Sequence, residues 1–208
     1  TENKKIAIIG AGQLGSRHLQ GACKSSIKVD IEVVDPSESA IEIARERFYE
    51  VDNRTNVINI KFFESIEQLS DTLDLVIVAT TSDVRFQVIN ELLFTKSVKN
   101  LVLEKVLFQR IDECYEIKTL LQDAITRCWV NHPRRMFPVY IKLKRVFSDS
   151  TQICLNYQAG NWGIGCNALH FIDLLSYFVN SSEVQISSEY LDRKFVNSKR
   201  PGFIEFTG

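Results

Sequence analysis

Apolar positions in the first two thirds of the chain fall in short dense runs, separated by longer stretches in which they recur every three or four residues. The runs at 5–10 (KIAIIG), 29–35 (VDIEVVD), 59–63 (NIKFF), 73–80 (LDLVIVAT), 100–106 (NLVLEKV) and 127–131 (RCWVN) read as strands. The patterns at 13–24, 37–48, 83–95 and 110–123 read as helices. Runs that are apolar throughout, such as LVIVA and LVL, suit strands covered on both faces, because neither face meets water. Their alternation with helices predicts an α/β fold built on a doubly wound parallel sheet.

The pattern changes at NHPRRMFP, residues 131–138. Pro133 biases His132 away from helical dihedrals, so a strand ends there. Beyond it the sequence predicts a helix over 136–147, a strand at 151–158 (TQICLNYQ) and a Gly/Asn loop at 159–165 (AGNWGIG). An amphipathic helix over 166–179 follows, and two strand-like pieces close the chain. This divides the protein into a first domain over 1–132 and a second, smaller α+β domain over 133–208.

Composition adds exclusions. With 208 residues, 45% hydrophobic and 25% charged, the chain is an ordinary globular one. A net charge of −1 gives no basic excess to attract nucleic acid or an anionic membrane, and the KLKR run at 142–145 reads as the solvated face of a helix. The five cysteines are odd in number and never spaced C-x-x-C, which suggests neither a disulfide framework nor a metal site and points to a reducing cytoplasm. No segment approaches the roughly 20 apolar residues of a membrane span. The start is a polar TENKK rather than a signal peptide, and opening on Thr1 suggests a trimmed chain.

The stretch IAIIGAGQLGSRHLQ carries Gly10, Gly12 and Gly15 between a strand and a helix. Gly10 turns the chain, Gly12 leaves room for a pyrophosphate and Gly15 lets the helix pack close to the sheet. The amides opening that helix, with Gln13 and Leu14 in the turn, then meet the phosphates. Asp35 ends the second strand at the spacing expected for a carboxylate that binds the ribose hydroxyls and repels a 2′-phosphate. No lysine or arginine follows in PSES, so NAD is favoured over NADP; Asp35 also reads as a cap for the next helix. Thr80 and Thr81, at the carboxyl edge of the fourth strand, either reach the cofactor or, with Ser82, cap the following helix.

These motifs, followed by VVDPS, VIVATTS, LVLEKV, NHPRRMFPVYIKLK and NALHFIDLLSYF in that order, resemble the glucose-fructose oxidoreductase/inositol dehydrogenase/MocA family, in particular sugar oxidoreductases of polysaccharide biosynthesis. The resemblance implies an N-terminal Rossmann domain, then a domain with an open antiparallel sheet often used for homo-oligomer contact. It implies NAD(P)-dependent oxidation or reduction of a sugar or cyclitol carbon. Glu104-Lys105-Val106 matches the family's Glu-Lys-Pro, which often includes a cis peptide. Lys105 is thereby the candidate to hold the substrate hydroxyl, and Glu104 falls on the cofactor side. The family's aspartate and histidine, four residues apart on a helix, match Cys166 and His170, with Asp173 sharing that face. His170 suits a proton shuttle, whereas Cys166 is either a thiolate or an inert buried thiol.

Trp162 is a platform for a sugar ring or a hydrophobic plug, and Asn161 and Asn167 offer hydrogen bonds to hydroxyls. Arg135, with Arg134, either binds a carboxylate or sugar-nucleotide phosphate or caps a helix. His18 reads as a packing or helix-face residue, and His132 as part of the domain junction. Two functions follow: a cytoplasmic NAD-dependent enzyme acting on a sugar or nucleotide-sugar, or a catalytically inactive module that senses NAD or a sugar. Family members usually continue past PGFIEFTG, so the second domain reads as truncated or compact.

Overall fold

The computed structural model describes residues 3–150, 152–160, 162–199 and 201–208. They form two compact units, one ending at Asn131 and the other beginning at His132.

In the first unit, β1 (Lys4–Ile9), β2 (Val29–Val34), β3 (Val57–Phe63), β4 (Leu75–Val78), β5 (Asn100–Leu103) and β6 (Arg127–Val130) make one parallel sheet in the order β3-β2-β1-β4-β5-β6. Helices α1 (Gly15–Ala22), α2 (Glu38–Tyr49), α3 (Arg85–Thr95) and α4 (Ile111–Asp123) connect the strands. The chain winds outward from β1 to β3, then returns to place β4 on the other side of β1. That reversal opens a crevice at the carboxyl ends of β1 and β4.

Strand β1 explains why the apolar runs are unbroken. Ile6 and Ile8 enter one layer with Leu19, Ile41, Ala44 and Phe48, while Ala7 and Ile9 enter the other with Ile89, Leu92 and Ile117. Successive strand residues face opposite sides, so a strand covered by helices on both needs apolar residues at every position. Burying a Leu or Ile fully is worth roughly 1.5–3 kcal/mol. Edge strand β6 instead alternates between exposed and half-buried positions.

The second unit contains α5 (Pro138–Val146), α6 (Ile164–Val179) and a two-stranded antiparallel ladder of β7 (Phe195–Asn197) and β8 (Ile204–Phe206). Phe178 of α6 meets Phe147, just past α5, edge to face at 5.3 Å. Lys144 donates to the Tyr177 and Phe178 carbonyls, where a cation suits the negative end of the α6 dipole. At the other end, the Gly165 amide donates to Glu205 of β8 at 2.9 Å.

Three elements depart from the expected ones. β5 stops at Leu103, leaving Glu104, Lys105 and Val106 in the following loop. The helix expected over 136–147 divides into a 3-10 turn, Pro133–Met136, and α5, because Pro138 lacks an N–H and suits only a helix's first turn. Residues 152–158 form no strand: they pair with no ladder, and Tyr157 packs its ring 4.0 Å from that of Phe171. Thr151, at the start of that expected strand, lies outside the described residues.

Candidate active site

The glycine turn sits at the crevice between β1 and β4. Gly10 has φ +91°, and a Cβ there would lie 2.8 Å from the Thr80 nitrogen; a Cβ on Gly15 would lie 1.7 Å from the Gly10 carbonyl oxygen. The fold itself therefore requires both glycines. Gly12 differs, because a Cβ added to it meets nothing within 4 Å. Among the described residues the amides of Gly12, Gln13 and Leu14 make no hydrogen bond, and no side chain caps α1. The turn thus presents bare donors at the positive end of a helix dipole, beneath open space: the arrangement an anionic diphosphate fits. Arg47 of α2 braces it by donating to the Gln13 carbonyl at 3.0 Å and to the side chains of Gln13 and Ser16.

Asp35 reaches into the same turn. Its Oδ2 accepts from the Ala11 amide at 2.7 Å and its Oδ1 from the Ser37 amide at 2.9 Å. Each oxygen keeps a lone pair for a ribose hydroxyl. The N-cap of α2 is Ser37, whose hydroxyl accepts from Ala40 at 3.4 Å. Across the crevice, the Thr80 hydroxyl is buried with no hydrogen-bond partner among the described residues. Such an orphan costs about 1–3 kcal/mol, a cost that a polar ligand atom removes. Neither Thr81 nor Ser82 caps α3, whose N-cap Val84 makes no side-chain bond. Ser82 instead accepts from Gln109 at 2.6 Å, and Thr81 is half-buried.

Lys105 is half-buried in the loop after β5, and the Lys105–Val106 peptide is cis. Glu104 is 4% exposed, with Oε1 2.8 Å from His18 Nε2 and bonded also by the Asn131 amide. Burial pushes its carboxyl up, but the bonds from His18 and Asn131 and the charges of His18 and Arg85 outweigh it and hold the pKa below the ordinary value. His18 is thus the partner of a buried carboxylate rather than a packing residue. Arg85, the first residue of α3, is 2% exposed and donates to the main-chain oxygens of Thr80, Glu104, Val106 and Leu107. Sequence reasoning passed over Arg85, Arg47 and Asn131. A signal existed for Arg85, because a cation in the first turn of a helix opposes the dipole and so needs a partner elsewhere.

In the second unit, Cys166, His170 and Asp173 lie along α6, with the His132 ring edge-on to that of His170 at 5.7 Å. Asp173 is gripped by Arg135 through Nε to Oδ2 at 2.7 Å and Nη2 to Oδ1 at 2.6 Å. Arg135 thus binds a carboxylate within its own unit, that of Asp173, with two contacts. Asn167 likewise turns inward, its amide donating to the Trp162 and Gly163 carbonyls. Trp162 packs edge-on against Tyr157 at 4.9 Å and Phe171 at 5.7 Å, and the Arg134 guanidinium lies 4.1 Å from the Phe171 ring centroid. Trp162 is therefore committed to an aromatic cluster. Asn161 lies outside the described residues.

A family model described as an oxidoreductase family with an NAD-binding Rossmann fold matches residues 4–132. The chain belongs to the Gfo/Idh/MocA oxidoreductase family. No curated protein matches its sequence. Among solved structures, scyllo-inositol dehydrogenase from Lactobacillus casei with bound NAD(H) and scyllo-inositol is similar over 85% of this chain and 56% of its own, with TM-score 0.64 and 16% identity. GenD2 from gentamicin A biosynthesis, in complex with NAD, is similar over 86% of this chain and 54% of its own, with TM-score 0.66 and 14% identity. A super-repressor mutant of Gal80p from Saccharomyces cerevisiae is similar over 86% and 53%, with TM-score 0.63 and 16% identity. At these identities the likeness is one of fold, and the chain spans just over half the length of each neighbour. For a Gfo/Idh/MocA member, the bare amides, the spare lone pairs of Asp35 and the orphaned Thr80 hydroxyl fit the diphosphate and sugar of the family's NAD. Among the described residues no group of three or more His, Cys, Asp or Glu is placed to hold a metal, and no helix is long and apolar enough to cross a membrane.

Proposed function

We propose that the protein is an NAD-dependent oxidoreductase acting at a hydroxyl or keto carbon of a sugar or nucleotide-sugar. The observation that carries this is the contrast within the glycine turn. Gly10 and Gly15 are required by packing, whereas the smallness of Gly12 serves only a ligand above the amides. Bound NAD supplies the hydride acceptor or donor. The turn binds the diphosphate through Gly12, Gln13 and Leu14, Asp35 accepts from the adenosine ribose, and Thr80, with Thr81, bonds the cofactor at the other side of the crevice.

Lys105 is the group we assign to the reacting oxygen, donating a hydrogen bond from its ammonium; the family resemblance supports His170 as acceptor of the proton a hydroxyl loses on oxidation. The resemblance also supports a homo-oligomer, and five cysteines outside any disulfide suit the cytoplasm. Calorimetry tests the cofactor assignment: NADH binds more tightly than NADPH, and Asp35→Ser narrows the gap by removing the charge that repels a 2′-phosphate. Nicotinamide absorbance tests the reaction with a panel of cyclitols, sugars and nucleotide-sugars. Lys105→Ala abolishes turnover and keeps NADH binding; absence of binding of either coenzyme by the wild type would overturn the reading.

Cys166 favours a second reading, since it stands where the family has an aspartate. A thiol is a weak hydrogen-bond acceptor beside the two oxygens of a carboxylate, and so a poor substitute for one. An inactive NAD- or sugar-sensing module would bind NADH and turn over no member of the panel. The fold likeness to a Gal80p super-repressor is compatible with that outcome.

A further inference from the structure

We propose that Arg85 is a positioning residue for Lys105, holding the main chain on both sides of the lysine with one buried guanidinium. This rests on the reading that Lys105 meets the reacting oxygen.

The geometry follows from where β5 ends. Strand pairing stops at Leu103, so the carbonyls of the next residues leave the ladder and need other donors. Arg85 Nη1 donates to the oxygens of Glu104 and Val106, the residues immediately before and after Lys105, and to Leu107 at 2.9 Å. Nη2 donates to Thr80, whose hydroxyl is the orphan of the cofactor crevice. One planar fork therefore ties the lysine's two neighbours to the strand end beside the cofactor cradle.

Glu104 is held a second time, through its side chain, by His18 and Asn131. The residue before Lys105 is thus immobilised at its carbonyl and at its carboxylate, from three different segments of the chain. The lysine's main chain is therefore fixed on both sides. A lysine at position 85 would keep a positive charge but not the fork, since an ammonium is a flexible point donor. Burying Arg85 at 2% exposure, where an apolar residue of similar volume would satisfy the core, is explained by this demand for donors at fixed spacing.

The test compares the wild type, Arg85→Lys and Arg85→Met in the full chain after reductive methylation with isotopically labelled methyl groups. The Lys105 signal is assigned by its loss in Lys105→Arg. The expected wild-type signal is single and narrow. Arg85→Lys, which keeps the buried cation and so protects folding, broadens or splits the signal, and Arg85→Met does so further where it folds. With NADH bound equally, turnover falls about 100-fold, the scale expected for misplacing a reacting group by about 1 Å. An unchanged Lys105 signal in Arg85→Lys, with only the unfolding temperature lowered, overturns the proposal and makes Arg85 a staple of the fold. The signal needs no cofactor. Absence of NADH binding by the wild type would therefore overturn the functional reading, while the Lys105 comparison still decides the role of Arg85.

Discussion

His18 Nε2 lies 2.8 Å from Glu104 Oε1, joining the helix behind the glycine turn to the residue before Lys105 across 86 positions of sequence. Glu104 is buried and His18 half-buried, so removing the histidine leaves the carboxylate poorly satisfied. His18→Ala is expected to cost about 1–3 kcal/mol in urea unfolding. Glu104→Gln costs less, because a neutral amide still accepts from Asn131. The folded-state carboxyl lies below its ordinary value, so its contribution is complete above the unfolded-state pKa of about 4.3 and is lost as pH falls through the lower folded value. The stability difference between wild type and Glu104→Gln thus shrinks as pH falls below about 4. A difference that instead grew toward low pH would contradict the pairing.

Gly12 and Gly15 should separate under substitution. Gly15→Ala drives a Cβ to 1.7 Å from a backbone oxygen, which cannot move aside as a side-chain tip could. The expected loss is about 3 kcal/mol or more, read by thermal unfolding. Gly12→Ala meets open space, so its stability changes by no more than about 0.5 kcal/mol. Its NADH affinity falls about tenfold or more, roughly 1.4 kcal/mol, because the methyl group enters the space above the amides. A Gly12→Ala protein that bound NADH normally would remove the main support for the diphosphate site.

At the amino end of the sheet, Asp74 collects the Lys99 ammonium at 2.9 Å, the Lys5 amide at 3.0 Å and the Lys4 ammonium at 3.3 Å. The hydrogen bond from Lys99 is the main cause that lowers its carboxyl to about 2, with Lys5 and Lys4 adding to it against a smaller opposing effect of burial. A depressed carboxyl stabilises the fold above its unfolded-state pKa, about 3.9, and loses that contribution as pH falls toward 2. Asp74→Asn should therefore unfold at lower urea than wild type at pH 7, with the two curves converging between about pH 4 and 2. Curves equally separated at both ends of that window would rule the assignment out.

Thiol reactivity should follow burial. Burial raises Cys23 to about 11, against a smaller opposing effect of Arg54, and raises Cys128 to about 11. Cys154 is exposed. Alkylation at pH 8 followed by peptide mass spectrometry should label Cys154 first and leave Cys23 and Cys128 nearly untouched until the protein unfolds. Early labelling of Cys23 would mean that its layer opens readily.

The apolar runs specified strands covered on both faces, and Gly10, Gly12, Gly15 and Asp35 marked the crevice along the chain itself, because what a strand or a tight turn demands of its residues is local. The partners of polar and aromatic side chains in the second unit were not legible in that way. Arg135 meets Asp173, 38 residues away, while Trp162 and Asn167 meet neighbours within their own loop and cluster.

Period and composition determined on their own that this chain would wind a parallel sheet and open it at a glycine turn. Only the folded molecule decided that His18 would pair with Glu104 and that Arg85 would hold the main chain around Lys105. A hydrogen-bond pattern within a strand or turn repeats at fixed short spacing and is visible along the chain. A buried cation finds its acceptors wherever the sheet ends leave carbonyls bare, and that is set by packing alone.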